Sequence, residues 1–172
     1  MDLFGKEPRP HFNDTMRREL SEIIGKEIHE SGQGKDLEKC VDDTFTILEY
    51  ASNENGYELA KLYEEYNYSP DSNLVDILDG VDFEKSQIED RYIRKWVVND
   101  KIEPTLTIND KVIVKYGSGR REGIITAIKK ETAVYHVCIE SAGQNLKDSR
   151  RTVINYEDAE LITEKHEIQN TN

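Results

Sequence analysis

Hydrophobic positions recur along this chain with two different periods, and the change from one to the other falls at Lys101 to Pro104. Before it the spacing is helical. Met16, Leu20, Ile23, Ile24 and Ile28 follow one another at intervals of one, three and four, an apolar face that Asn13 or Asp14 can cap and that Gly32 and Gly34 interrupt beyond Ser31. A second helix is predicted from about Asp36. Its apolar positions are Leu37, Val41, Phe45 and Leu48, with Cys40, Thr44 and Ile47 beside them and Glu38, Asp42 and Asp43 on the polar face. Asn55 with Glu58 three residues later has capping-box spacing and opens a short helix carrying Leu59, Leu62, Tyr63 and Tyr66. Ser69 and Pro70 fit the cap and first turn of a brief helix with Leu74, Val75 and Leu78, closed by Gly80. Asp82 can start the last helix, which runs to about Val98 with Phe83, Ile88, Tyr92, Ile93, Trp96 and Val97 on a broad apolar face. Five such pieces on short connections predict an antiparallel bundle.

From Pro104 the period is two. Five short strands are predicted between Asn109 and Ile162: KVIVKY, REGIITAIKK, TAVYHVCIE, RTVINY and AELIT. Val112 and Val114 alternate with Lys111, Ile113 and Lys115, as a half-buried strand requires. Gly117, Ser118 and Gly119 make a turn, and Gly123 inside the second strand predicts a bulge or sharp bend. The fold class expected is α+β, with a flexible N-terminus over 1–11, an acidic helical domain over 12–100, a small β-domain over 104–163 and a loose tail over 164–172.

Hydrophobic residues make up 36% and charged residues 34% of the 172, polar but sufficient for two modest cores, which excludes wholesale disorder. No stretch approaches the roughly 20 apolar residues of a membrane span, and MDLFGKEPRPHF lacks the apolar core of a signal peptide, so a cytoplasmic protein without membrane contact is expected. Cys40 and Cys138 lie in different halves without a CxxC pair, which predicts two free thiols rather than a disulfide or zinc site. The net charge of -12 is unevenly spread. Residues 1–103 carry 13 basic against 25 acidic side chains, whereas 110–156 carry nine basic against five acidic. Phosphates repel the first part, so nucleic acid is expected only at the second.

Asp110, Val112, Val114, Gly117, Gly123 and Ile125, with the ending YEDAELI, resemble the opening and close of a KOW-type or Tudor-type SH3-like five-stranded barrel. The resemblance covers about 55 of the 172 residues. It implies a binding module that serves transcription, translation or chromatin machinery through its loops, not a catalyst. Tudor-type members build aromatic cages for methylated lysine or arginine by cation–π attraction, and Tyr116, Tyr135 and Tyr156 are the candidate rings.

The candidate anion or nucleic-acid contacts are Lys115, Arg120, Arg121, Lys129, Lys130, Lys147, Arg150 and Arg151. They fall near strand ends, where four arginines could form a phosphate-binding rim. For a protein partner the candidates are Glu38, Asp42, Asp43, Tyr63, Tyr66 and Tyr68. Carboxylates over a helical body can also imitate duplex phosphates and block a basic channel, as acidic inhibitors of the phage-encoded kind do. Glu19 with Glu22, Glu38 with Asp42, and Glu64 with Glu65 are the pairs a metal-dependent helical nucleotide hydrolase would need. No GxSxG, P-loop, HExxH or Rossmann fingerprint occurs, and His11, His29, His136 and His166 are isolated in sequence. The expected function is therefore a non-catalytic regulator or adaptor of nucleic-acid-processing machinery. No cofactor or metal is expected, and the rivals are the DNA mimic and, behind it, the hydrolase.

Overall fold

Asn13 has extended backbone, and its side chain accepts from the N–H groups of Thr15 and Met16, so α1 begins at Asp14 and runs Asp14–Glu30. The computed structural model describes residues 7–117, 119–139 and 150–162, the Arg150 side chain excepted. Expectations for 1–6, for most of the loop after the third strand, and for the tail 164–172 lie outside them. Asp36 caps α2 (Leu37–Ala51) and Asn55 caps α3 (Gly56–Glu64). Only half of the predicted capping box forms, because the Glu58 carboxylate accepts from Lys61 Nζ at 3.0 Å. The next cap is Asp71, not Ser69. Its carboxylate accepts from Leu74 N at 2.9 Å, and α4 (Ser72–Asp79) starts two residues later than Pro70 suggests. Gly80 closes α4, and α5 (Val81–Asn99) follows directly.

Three helices end alike. In each, an amide N–H bonds the carbonyl five residues back across a residue with positive φ: Gln33 to Ile28 over Gly32, Tyr68 to Tyr63 over Asn67, and Ile102 to Val97 over Lys101. These caps turn the chain sharply and allow short connections.

The chain divides into two units, Arg9–Tyr92 and Ile93–Asn172 together with Met1–Pro8. The division falls within α5. In the first unit Met16, Leu20, Ile24 and Ile28 of α1 pack with Cys40, Ile47 and Leu48 of α2, Leu59 and Tyr63 of α3, Leu74 and Leu78 of α4, and Val81 and Ile88 of α5. Phe83, expected on the apolar face of α5, is instead 64% exposed, since the buried line of that helix passes through Val81 and Ile88.

In the second unit five antiparallel strands, β1 (Lys111–Tyr116), β2 (Gly119–Lys129), β3 (Val134–Ile139), β4 (Arg150–Asn155) and β5 (Ala159–Leu161), lie in the order β4-β3-β2-β1-β5. This is α+β architecture, but the sheet is open. The three-residue β5 pairs with β1, leaving β4 and β5 as the two edges. Val112, Val114, Ile125, Tyr135, Val137, Ile139 and Ile154 form its core with Leu106. The bulge falls at Thr126, between Ile125 and Ala127, and not at Gly123. Gly123 is needed for another reason. A Cβ there would lie 2.6 Å from Val137 Cγ1 and 2.8 Å from the Cys138 carbonyl oxygen, so the glycine permits β3 to approach β2. Among the described residues no helix is long and apolar enough to cross a membrane.

Gly25 does the same for the helices: a Cβ on it would stand 2.8 Å from both Cα and N of Val41. Backbone cannot yield as a side-chain tip can. Gly25→Ala is therefore expected to destabilise the helical unit by about 2 kcal/mol despite alanine's better helix propensity, read as a lower urea midpoint of the far-ultraviolet signal.

Candidate functional site

The inward stripe of α2 runs through Cys40, Asp43, Thr44, Ile47 and Leu48, which places one carboxylate inside. Asp43 is 9% exposed. It accepts from Lys39 Nζ at 2.5 Å and from the Tyr68 hydroxyl at 3.0 Å. Beside it the Thr44 and Tyr63 hydroxyls share a hydrogen bond of 2.7 Å, and the Tyr63 and Tyr68 rings meet edge to face at 5.1 Å. Burial is the largest cause raising both tyrosine pKa values; the Thr44 bond opposes it at Tyr63, while Cys40 and Asp43 add to it at Tyr68. Three candidates for partner contact are thus corrected. Asp43, Tyr63 and Tyr68 are interior groups, Asp43 bonded to Tyr68 and Tyr63 to Thr44, and Tyr66 is half-buried. Glu38 and Asp42 remain exposed.

On the surface of α1 and α2 lies an open groove of about 950 Å³ lined by Asp14, Arg18, Glu19, Glu22, Asp42 and Phe45, with Thr15 and Thr46 and with Tyr92 of α5. Its walls are carboxylates and its apolar surface is aromatic. Arg18 donates to Asp42 at 2.7 Å, Arg91 reaches Glu19 at 2.6 Å and Arg17 reaches Asp14 at 2.7 Å. The Arg17 and Arg18 guanidinium groups sit 5.1 and 5.3 Å from the Phe45 ring centroid, inside cation–π range. Glu22 is exposed and makes no ion pair within 4.0 Å among the described residues. At the far end of α1, burial first and then the Glu84 and Glu30 carboxylates push the Glu27 carboxyl up from its usual range.

The basic candidates fall at both ends of the sheet and not on one face: Lys115, Arg120, Arg121 and Arg151 lie towards one end, and Lys129 and Lys130 at the other. β2 and β4 flank β3 and run the same way, so their starts share an end. Arg121 stands opposite Val114, which is core, while Arg120 stands opposite Lys115, so adjacent arginines project to opposite sides. Arg120 is paired with Glu160 of β5, and Lys130 lies 3.9 Å from Glu103. Lys115 and Arg120 share a shallow cavity of about 310 Å³ with Glu157, Asp158 and Glu160, so acid offsets base there. Lys129 pairs in register with Val134, and Arg151 with Cys138. Lys147 and the Arg150 side chain lie outside the described residues.

The three tyrosines proposed for an aromatic cage do not form one. Tyr135 shares the inward side of β3 with Val137 and Ile139, is fully buried, and its hydroxyl accepts from Leu106 N at 3.1 Å. Tyr156 stacks on it at 4.3 Å, and Tyr116 alone of the three is exposed. The carboxylate pairs weighed for a metal are also dispersed: Glu19 turns to Arg91 and Asp42 to Arg18. Among the described residues no three His, Cys, Asp or Glu groups are arranged to hold an ion. Besides Tyr116, the exposed aromatics among the described residues are Tyr50, Tyr57 and Phe83. Periodicity could have flagged only the first two, as tyrosines off the apolar stripes. Comparison with family models, curated proteins and solved structures finds no match to this chain.

Tyr68→Phe leaves the buried Asp43 carboxylate short of a donor and is expected to cost about 1–3 kcal/mol in urea unfolding. Glu27→Gln has the opposite sign. A carboxyl whose folded-state pKa is raised destabilises the fold above that pKa and has no effect below its unfolded value. The variant is therefore expected to melt higher than the parent at pH 7, with the difference vanishing below about pH 4 in thermal scans.

Proposed function

We propose that this chain is a non-catalytic regulator or adaptor of nucleic-acid-processing machinery, whose helical unit docks on a basic protein. The observation that carries the reading is the charge of that unit. Residues 9–92 bear 21 acidic against nine basic side chains, a balance of -12. The bundle beneath is well packed, with a core drawn from all five helices, so the carboxylates sit on a fixed frame. A fixed field of one sign steers an oppositely charged partner and rejects nucleic acid.

The β-unit is read as an SH3-like module of the KOW or Tudor kind. Its strand order, with β1 between β2 and β5, and the Thr126 bulge that bends the long β2 support that reading. Its role is a protein contact or a secondary nucleic-acid contact through Arg121, Lys129 and Arg151. The mixed signs around Arg120 make protein the better partner.

Capture from cell extract on the full chain, with and without nuclease, tests this. A nucleic-acid-processing protein with a basic surface is expected in both arms and is expected to be lost at high salt. Added duplex DNA separates two mechanisms. A ternary complex marks an adaptor, while displacement of the partner marks a DNA-mimic inhibitor. Capture of no such protein in either arm, or metal-dependent nucleotide hydrolysis by the pure chain, overturns the proposal.

A further inference from the structure

We infer that the groove between α1 and α2 is the docking site within the helical unit, and that its occupant is an arginine-bearing segment of a protein partner. This rests on the reading above that the helical unit contacts a basic protein. The groove supplies two chemistries at once. Phe45 and the half-buried Tyr92 offer aromatic surface, and Asp14, Glu19, Glu22 and Asp42 stand around them as acceptors. A guanidinium satisfies both, since its plane stacks on a ring while its edge donates to carboxylates; an ammonium can do only the second well.

The protein already uses this arrangement on itself. Arg18 lies over Phe45 while donating to Asp42, and Arg17 lies over the same ring while donating to Asp14. Those internal pairs leave acid in excess. Within and beside the groove, Arg17, Arg18 and Arg91 face Asp14, Glu19, Glu22, Asp42 and Glu49. Among the described residues Glu22, on the same face of α1 as Arg18, is exposed and makes no ion pair, while the other carboxylates lining the groove do. An incoming arginine meets at Glu22 an acceptor of the kind that Arg18 finds at Asp42. The groove is shallow and open along its length, which suits side chains of a segment laid across it rather than an enclosed small ligand.

The test uses the full chain and a synthetic peptide containing arginine and leucine, with a counterpart in which every arginine is glutamine. At low ionic strength the arginine peptide is expected to bind saturably, with amide shifts confined to Asp14–Glu22, Asp42–Thr46 and Tyr92, and the glutamine peptide is not. Glu22→Lys is expected to weaken binding by about tenfold and Glu22→Gln by less. Asp76→Lys, an equal charge change on the exposed side of α4, is expected to change it by less than about twofold. Equal weakening by Glu22→Lys and Asp76→Lys, or shifts spread over α3 and α4, overturns the groove while leaving a basic partner in place. Binding of neither peptide, or of both equally, overturns the groove and the basic-partner reading together.

Discussion

The approach of α1 to α2 at Gly25 and Val41 is the constraint on which the helical unit depends. No side chain separates the two backbones there, so the apolar stripes of both helices close over one core. The same closeness sets the outer surface. It carries Phe45 of α2 under the two arginines of α1 and aligns the Asp42 and Glu49 carboxylates with them. Each of those exposed ion pairs contributes only about 0.2–1 kcal/mol, far less than burial of the aliphatic stripe, so they shape the groove rather than hold the fold.

Burial of Asp43 is the second consequence. A carboxylate inside a core must be compensated, and its donors come from two pieces of chain: Lys39 one turn back and Tyr68 after α3. The positive φ of Asn67 in the cap of α3 returns the chain so that Tyr68 reaches Asp43. The polar cluster thereby specifies the path of the α3–α4 connection. The acidic exterior is a separate matter, since the remaining carboxylates crowd one another, as Glu27, Glu30 and Glu84 do.

Local signals were legible where the chemistry is local. Asn55, and Asn13 of the Asn13 or Asp14 alternative, are caps in the sequence and in the fold, because a side-chain oxygen reaches an amide only two or three residues ahead. Strand β1 has its expected bounds, and Val112 and Val114 face the core, since alternation forces the choice of side. The failures are of rotation and convergence. On α2 the stripes Leu37–Val41–Phe45 and Cys40–Thr44–Ile47 are neighbours on one cylinder, and the position of α1 decides that the second faces inward, taking Asp43 with it. Similarly Tyr135 and Tyr156 share a polar tip and an apolar ring, and only their stacking under Leu106 marks them as core. The closed barrel expected from the strand pattern is an open sheet, because pattern counts strands without stating which edges meet.

Taken alone, the sequence determined that a helical, strongly acidic part precedes a β-part of mixed charge, because period and charge are properties of residues in order. Tertiary structure decided which carboxylate is buried, which aromatics are available, and that Arg120 and Arg121 project to opposite faces. Those outcomes depend on the angle at which one element meets another. That angle is set by backbone approach at positions such as Gly25 and Gly123, whose significance appears only when the partner strand or helix is in place.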